Sequence, residues 1–236
     1  MYKNRSILAI IPARGGSKGL PGKNLRELCG KPLLAWSIGQ AEKSKYIDDI
    51  IVSSDDDRII NVAKRYGARV PFKRPKYLAT DKASGINVIL QALAWLEEHG
   101  ELFDMVVVLQ PTSPLRAAKD IDQAIELLFK ARAQAVVSLC PAEHNPLWMN
   151  TLPESGCMKA FLPKQALANR QKLPQFYRLN GAIYIISGAY LKKCRTFYGD
   201  KTYAYIMPIE RSVDIDTLLD FNFAEFLMGK KDLKHD

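Results

Sequence analysis

The 236-residue chain predicts an α/β fold, a mainly parallel twisted sheet flanked by helices. Three observations carry this. Short aliphatic runs alternate with longer segments whose apolar positions recur at three- and four-residue steps. One run, "MVVVL" (Met105–Leu109), is apolar at every position, as befits a strand covered on both faces. A basic, glycine-rich segment follows the first run directly, at the strand end where open α/β sheets bind ligands.

Taken in order, "SILAII" (Ser6–Ile11) and "DIIVSS" (Asp49–Ser54) are the first strands, and Met105–Leu109 follows. "AVVSL" (Ala135–Leu139), "GAIYII" (Gly181–Ile186) and "YAYIM" (Tyr203–Met207) continue the series. Helices are expected at Pro32–Lys43 and at Asp56–Tyr66, the latter closed by Gly67. Two more carry apolar stripes, one through Ile86, Ile89, Leu90, Leu93 and Leu96 and the other through Ile121, Ile125 and Leu128. The rhythm breaks over residues 141–178, which hold five prolines and no clear periodicity. Long irregular stretches in compact domains serve a site or an interface. The apolar content of this one (Leu147, Trp148, Met149, Phe161, Leu162, Phe176 and Tyr177) predicts an inserted element of a single domain spanning 1–236 that packs on a partner subunit, hence a homodimer.

Composition narrows the function. No apolar run approaches the roughly 18 residues of a membrane span, and "ILAII" is too short for a secretory core, so a cytoplasmic protein is expected. The four cysteines are scattered, without zinc or disulfide spacing. The formal charge is +9, and between Met1 and Pro32 seven cations face one acid, Glu27. A nucleic-acid binder would add a basic helix or aromatic platforms, and neither is present; an anionic small molecule is the expected partner.

The segment "LAIIPARGGSKGLPGKN" (Leu8–Asn24) concentrates that charge. Gly15, Gly16, Gly19 and Gly22 let backbone amides turn toward an anion, while Arg14, Lys18 and Lys23 supply charge and Ser17 a hydroxyl. This is polyphosphate chemistry. The Walker pattern fails, because Ser17 stands where its first glycine belongs and Asn24 replaces its hydroxyl residue, and no set of these glycines gives G-x-G-x-x-G. Further on, Asp214 and Asp216 alternate, so an extended segment turns both carboxylates to one side, where with phosphate oxygens and water they suit Mg²⁺. The competing role is helix capping by Asp216 or Thr217, with Asp220 three residues after Thr217.

"IPARGGSKGLPGKN", "LATDKAS", "LQPTSPLR", "LNGAIY" and "ERSVDIDTLLDF" occur in that order, and together they resemble the CMP-N-acetylneuraminate synthetase family, cytidylyltransferases that make CMP-activated nonulosonic acids. The resemblance runs from about Ser6 to Phe226 and implies a nucleotidyltransferase, Rossmann-like domain that transfers CMP from CTP to the anomeric hydroxyl of an acidic nine-carbon sugar and releases pyrophosphate. It implies catalytic roles for Arg14, Lys18, Lys23 and Asp216, and Mg²⁺ or another divalent cation on Asp214 and Asp216. Ala13, Arg14, Gly15, Ser17, Lys23, Asn24, Arg74, Ala83 and Ser84 would bind the nucleotide, Ser84 being also a good helix cap. Gln110, Arg170, Arg178, Asn180, Tyr184, Phe197 and Tyr198 would bind the sugar, the two arginines as forks for its carboxylate. Arg116 reads as a surface cation.

One departure bears on the sugar. Family members acting on N-acetylneuraminate commonly carry "HP" followed shortly by a lysine; here "EHNPLWMNTLP" brings Trp148 and Met149 and no lysine before Lys159. That more apolar wall resembles enzymes for legionaminic-type acids, with N-acetylneuraminic, pseudaminic and Kdo acids as alternatives, and a non-catalytic nucleotide-sugar sensor as the alternative of another class.

Overall fold

The computed structural model describes residues 1–167 and 170–232, without the side chains of 165, 167, 170, 231 and 232. Strand β1 (Ile7–Pro12) leads through the basic loop to a small hairpin, β2 (Glu27–Leu28) and β3 (Lys31–Pro32), and then to helix α1 (Leu33–Glu42). There follow β4 (Asp49–Ser53), α2 (Asp57–Arg65), α3 (Gly85–Glu98), β5 (Met105–Val108) and α4 (Ala118–Lys130). The chain continues through β6 (Ala135–Pro141), β7 (Tyr177–Ser187), α5 (Gly188–Cys194), β8 (Thr202–Ile206) and α6 (Leu218–Asp232). Among the described residues no helix is long and apolar enough to cross a membrane.

The main sheet has the order β4-β1-β5-β7-β6-β8. β1 pairs in parallel with β4 and β5, β6 pairs in parallel with β8, and β7 runs antiparallel to both of its neighbours. The mainly parallel α/β reading therefore holds. It needs correction at Gly181–Ile186, which belongs to the longer, reversed strand β7. Reversal carries the beginning of β7 to the carboxyl ends of the parallel strands, so "LNGAIY" stands beside the loops rather than at the far edge.

Alternation along β1 divides the core. Ile7, Ala9 and Ile11 face α1, α2 and α4, whereas Leu8 and Ile10 face α3 and α5, and all five are fully buried. Each such side chain contributes about 1.5–3 kcal/mol on burial, which is why a short aliphatic run nucleates both layers. A third, smaller cluster joins Leu20 of the basic loop, Leu28 of the hairpin, Leu33, Leu115, Ile215, and Phe221 and Ala224 of α6.

The expected excursion over 141–178 is shorter at both ends: Pro141 closes β6 and Tyr177 and Arg178 open β7. The described residues between them form a long connection closed at its neck by the Pro141–Tyr177 pairing and the bond from the Ala142 amide to the Phe176 carbonyl, 2.9 Å. Short 3-10 turns at Pro146–Trp148, Lys164–Leu167 and Arg170–Lys172 punctuate it. The Trp148 indole donates to the Ala166 carbonyl at 3.3 Å, tying the excursion to itself.

Candidate active site

The loops at the carboxyl ends of β4, β1 and β5 meet the segment before α6 around a cleft of about 490 Å³. Arg14, Ser17, Lys18, Lys23, Asn24, Arg74, Ala83, Gln110, Asp214 and Asp216 line it, so residues some 200 positions apart in sequence converge. A larger cavity of about 690 Å³ opens at the opposite end of the sheet, but its wall holds none of the loop motifs.

Two glycines make the convergence possible. A Cβ on Gly19 would lie 2.4 Å from the Asp216 carbonyl oxygen, so the basic loop touches the backbone of the acidic segment. Gly181 sits at φ +71°, and a Cβ there would meet the Gln110 side-chain oxygen at 2.7 Å and the Asp214 carboxylate at 3.4 Å. The third core holds the same junction from beneath through Leu20 and Ile215. With the loop so placed, the Lys23 ammonium donates to the Ile215 carbonyl at 2.8 Å and to Asp216 Oδ1 at 2.9 Å. Arg14 and Lys18 reach the other lip, where Asp81 takes both, at 2.6 and 2.8 Å.

The acidic pair is asymmetric. Asp214 is largely buried and one of its oxygens, Oδ1, has no partner; burial pushes its carboxyl pKa up, the Thr112 hydroxyl opposes this, and the Asp216 charge adds to it. The Asp216 side chain is 73% exposed. Capping of α6 falls to Thr217 and Asp220: the Thr217 amide donates to Asp220 Oδ2 at 2.7 Å and the Asp220 amide donates back to the Thr217 hydroxyl at 3.3 Å. Asp216 is left to face the cleft. An orphaned carboxylate oxygen beside a solvent-facing one fits a hard divalent cation that completes its shell with phosphate and water. Among the described residues no group of three acidic, histidine or cysteine side chains is arranged to hold a metal ion, so such a cation would need the nucleotide's oxygens.

The other nucleotide-binding expectations divide. Arg74 is buried in the wall, with Nε donating to the Ser53 hydroxyl at 3.0 Å and a terminal nitrogen to the Ser53 carbonyl; burial lowers its pKa to about 10, with the Asp55 charge opposing and Arg14 assisting. Asn24 is buried and donates to the Arg14 carbonyl at 3.0 Å, which shapes the loop. Two backbone groups are already engaged, since the Ala13 amide donates to the Ser53 carbonyl and the Gly15 amide to Asp55 Oδ1, each at 3.0 Å. Ser84 caps α3, accepting from the Ile86 amide at 3.3 Å, while its neighbours Ala83 and Gly85 line the cleft.

On the sugar side, Gln110 lines the cleft but Asn180 does not. It is 1% exposed, accepts from the Ser138 hydroxyl at 2.6 Å and donates to the Ser212 hydroxyl at 2.9 Å, so it is a buried strut under the Asp214 segment rather than a ligand-facing amide. Arg178 forks onto Glu143 at 2.6 and 2.9 Å, which holds the Glu143 carboxyl down at about 2. Tyr184 and Phe197 meet with ring centroids 5.1 Å apart, and burial is the main cause of the Tyr184 pKa rising to about 12. Tyr198 is exposed, and the Arg170 side chain lies outside the described residues. Trp148 and Met149 line a separate hollow with Glu143 and His144.

Arg116 corrects the expectation of a surface cation. It is fully buried, and its fork donates to the Ala182 carbonyl, to the Ser37 hydroxyl at 2.7 Å and to Gln40 Oε1 at 2.9 Å; burial lowers its pKa to about 9. Asp81, Asp55, Thr112 and Glu143 were not singled out from sequence. Asp81 lies inside the quoted "LATDKAS", but its two partners, Arg14 and Lys18, are far away in sequence, so no local pattern marked it.

A basic glycine loop opposed to two carboxylates at the carboxyl end of a parallel sheet defines an enzyme built to handle a nucleoside triphosphate. Residues 8–193 match the cytidylyltransferase family, and the chain belongs to it. It is 38% identical over 226 residues to the CMP-N,N'-diacetyllegionaminic acid synthase of Legionella pneumophila, covering 94% of this chain and 96% of that one. It is 35% identical to the pseudaminic acid cytidylyltransferase of Campylobacter jejuni over 93% of this chain and 95% of that one. Among solved structures, CMP:2-keto-3-deoxy-manno-octonic acid synthetase complexed with CTP superposes with a TM-score of 0.70 over 96% of this chain and 99% of that one; at 16% identity it speaks for the fold. The chain is thus a nucleotidyltransferase, and the sensor alternative has no support.

Proposed function

We propose that the enzyme transfers CMP from CTP to the anomeric hydroxyl of a nonulosonic acid of the legionaminic type and releases pyrophosphate. The observation that carries this is the meeting of Arg14, Lys18 and Lys23 with Asp214 and Asp216 in one cleft that also holds Gln110. The relatives' names support the substrate class, since legionaminic acid synthases from Legionella pneumophila and Campylobacter jejuni match at 38% and 37% identity.

The anomeric hydroxyl gives up its proton to solvent as its oxygen attacks the α-phosphorus, the bond from that phosphorus to the oxygen bridging it to the β-phosphate breaks, and the electron pair leaves on pyrophosphate. Arg14, Lys18 and Lys23 hold the phosphates and neutralise the leaving group, a task in which one fixed donor is worth about 10²–10³ in rate. Asp214 and Asp216 would carry Mg²⁺, which when bound screens the triphosphate and acidifies the attacking hydroxyl. Buried Arg74 backs the nucleotide wall, and Gln110, braced over Gly181, presents its amide to the sugar. Arg178, beside Asp214, offers the sugar carboxylate a fork in exchange for Glu143.

A reaction that consumes CTP is the support for a cytoplasmic enzyme. Exposed Met149, Leu152, Met158 and Leu162 on the excursion suit a face covered by a second copy, giving a homodimer. Purified enzyme with CTP, Mg²⁺ and a panel of nonulosonic acids is expected to release pyrophosphate with legionaminic acid foremost. Release with another acid alone would move the sugar assignment, and none with any acid would overturn a nonulosonic acid as the acceptor. The Lys23→Ala variant should retain the fold and lose about 10²–10³-fold in turnover.

A further inference from the structure

The cations of the loop are already neutralised from within, by two carboxylates of different standing. Asp216 meets Lys23 from the acidic segment and, on the proposed function, would also help to hold the divalent cation. Asp81 belongs to the opposite lip, just before α3, and places one oxygen 2.6 Å from Arg14 and the other 2.8 Å from Lys18. A carboxylate bridging two cations with two oxygens reproduces what a phosphate does in the same seat. Its side chain is 43% exposed and that of Lys18 83%, so both pairs are solvent-screened and exchange readily for a more highly charged partner.

We propose that Asp81 is a place-holding counter-ion, a carboxylate that occupies Arg14 and Lys18 until a polyphosphate displaces it and that returns as pyrophosphate leaves. This rests on the loop being the triphosphate seat. Asp81 acts through the two cations and is a positioning residue. It keeps the lips of the empty cleft together, weakens the hold on CTP, and speeds the loss of product. A carboxylate that only braced the loop would have the opposite effect, because its removal would loosen the seat and weaken binding.

The test titrates inorganic pyrophosphate calorimetrically into the full chain, with divalent ions chelated, for wild type, Asp81→Asn and Asp81→Glu. Asp81→Asn is expected to bind about three- to tenfold tighter, the scale of two exposed charge pairs, and Asp81→Glu to restore the wild-type value. In steady state Asp81→Asn should lower KM for CTP and be inhibited at lower pyrophosphate, with kcat unchanged or reduced. The gain in affinity should shrink as salt rises. Asp81→Ser repeats the neutralisation with a smaller side chain, so a folding defect in one variant does not decide the matter. Unchanged or weaker binding by folded neutral variants would overturn the proposal while leaving the seat intact. Failure of every form, wild type included, to bind pyrophosphate would overturn the seat and the proposal together.

Discussion

Asp214 is a largely buried carboxylate with an unpartnered oxygen, and the proposed metal-binding role sets its stability against chemistry. Its pKa is raised, chiefly by burial, so the ionised form is less welcome in the folded state and costs stability as pH climbs from the ordinary carboxylate range through the folded value. Asp214→Asn should therefore keep or raise Tm near neutral pH while turnover falls at least about 10²-fold, the scale of losing one transition-state electrostatic contact. Thermal unfolding beside initial rates checks both halves. Glu143 has the opposite sign. Its hydrogen bond with Arg178 holds it at about 2, so it stabilises the fold above the ordinary value of 4.5, and that contribution is lost as pH falls toward 2. Glu143→Gln should lower Tm at pH 7, with the gap to wild type narrowing once the pH drops below 4.5.

Among the elements, the start of α6 separates the capping residues from the cleft-facing Asp216. The reciprocal Thr217–Asp220 bonds start the helix, and Asp216, one residue earlier, is left to Lys23. Thr217→Ala should cost about 1 kcal/mol, lowering Tm by about 2–4 °C with kcat nearly unchanged. Asp216→Asn should do the reverse, losing activity and Mg²⁺ response with Tm held. If Asp216→Asn lost stability alone, the cleft-facing carboxylate would have no part in the chemistry. The excursion is legible in the same terms. A proline-rich stretch without periodicity was readable as irregular, but that it grows out of a β6–β7 hairpin required the antiparallel pairing.

In the whole molecule the third core couples loop to carboxylates. Leu20 and Ile215 lie in one cluster with α6, so the basic loop and the acidic segment keep their register only while that cluster is filled. Leu20→Ala should destabilise by about 2–5 kcal/mol and raise KM for CTP well below the new Tm, where unfolding is negligible. Circular dichroism and rates at a low assay temperature separate the two effects. A paired assembly should sediment as two copies, and charge introduced at Met158 in the excursion should shift it toward single chains without altering the fold.

The sequence by itself determined the α/β class, most of the strand and helix stretches though not the β2–β3 hairpin or α5, and the chemical character of the basic loop and acidic pair, because periodicity and residue type act locally. It misread Arg116 because burial of a cation depends on the carbonyls and hydroxyl that converge on it from α1 and β7, and no local pattern records them. For the same reason no sequence pattern marked the Asn180 amide as engaged by Ser138 and Ser212. Only the tertiary structure decided that β7 runs backward, bringing Gly181 to the site, and that Asp81 faces Arg14 and Lys18. Strand direction and cross-cleft pairing depend on which surfaces the packed core brings together, over separations that no sequence window spans.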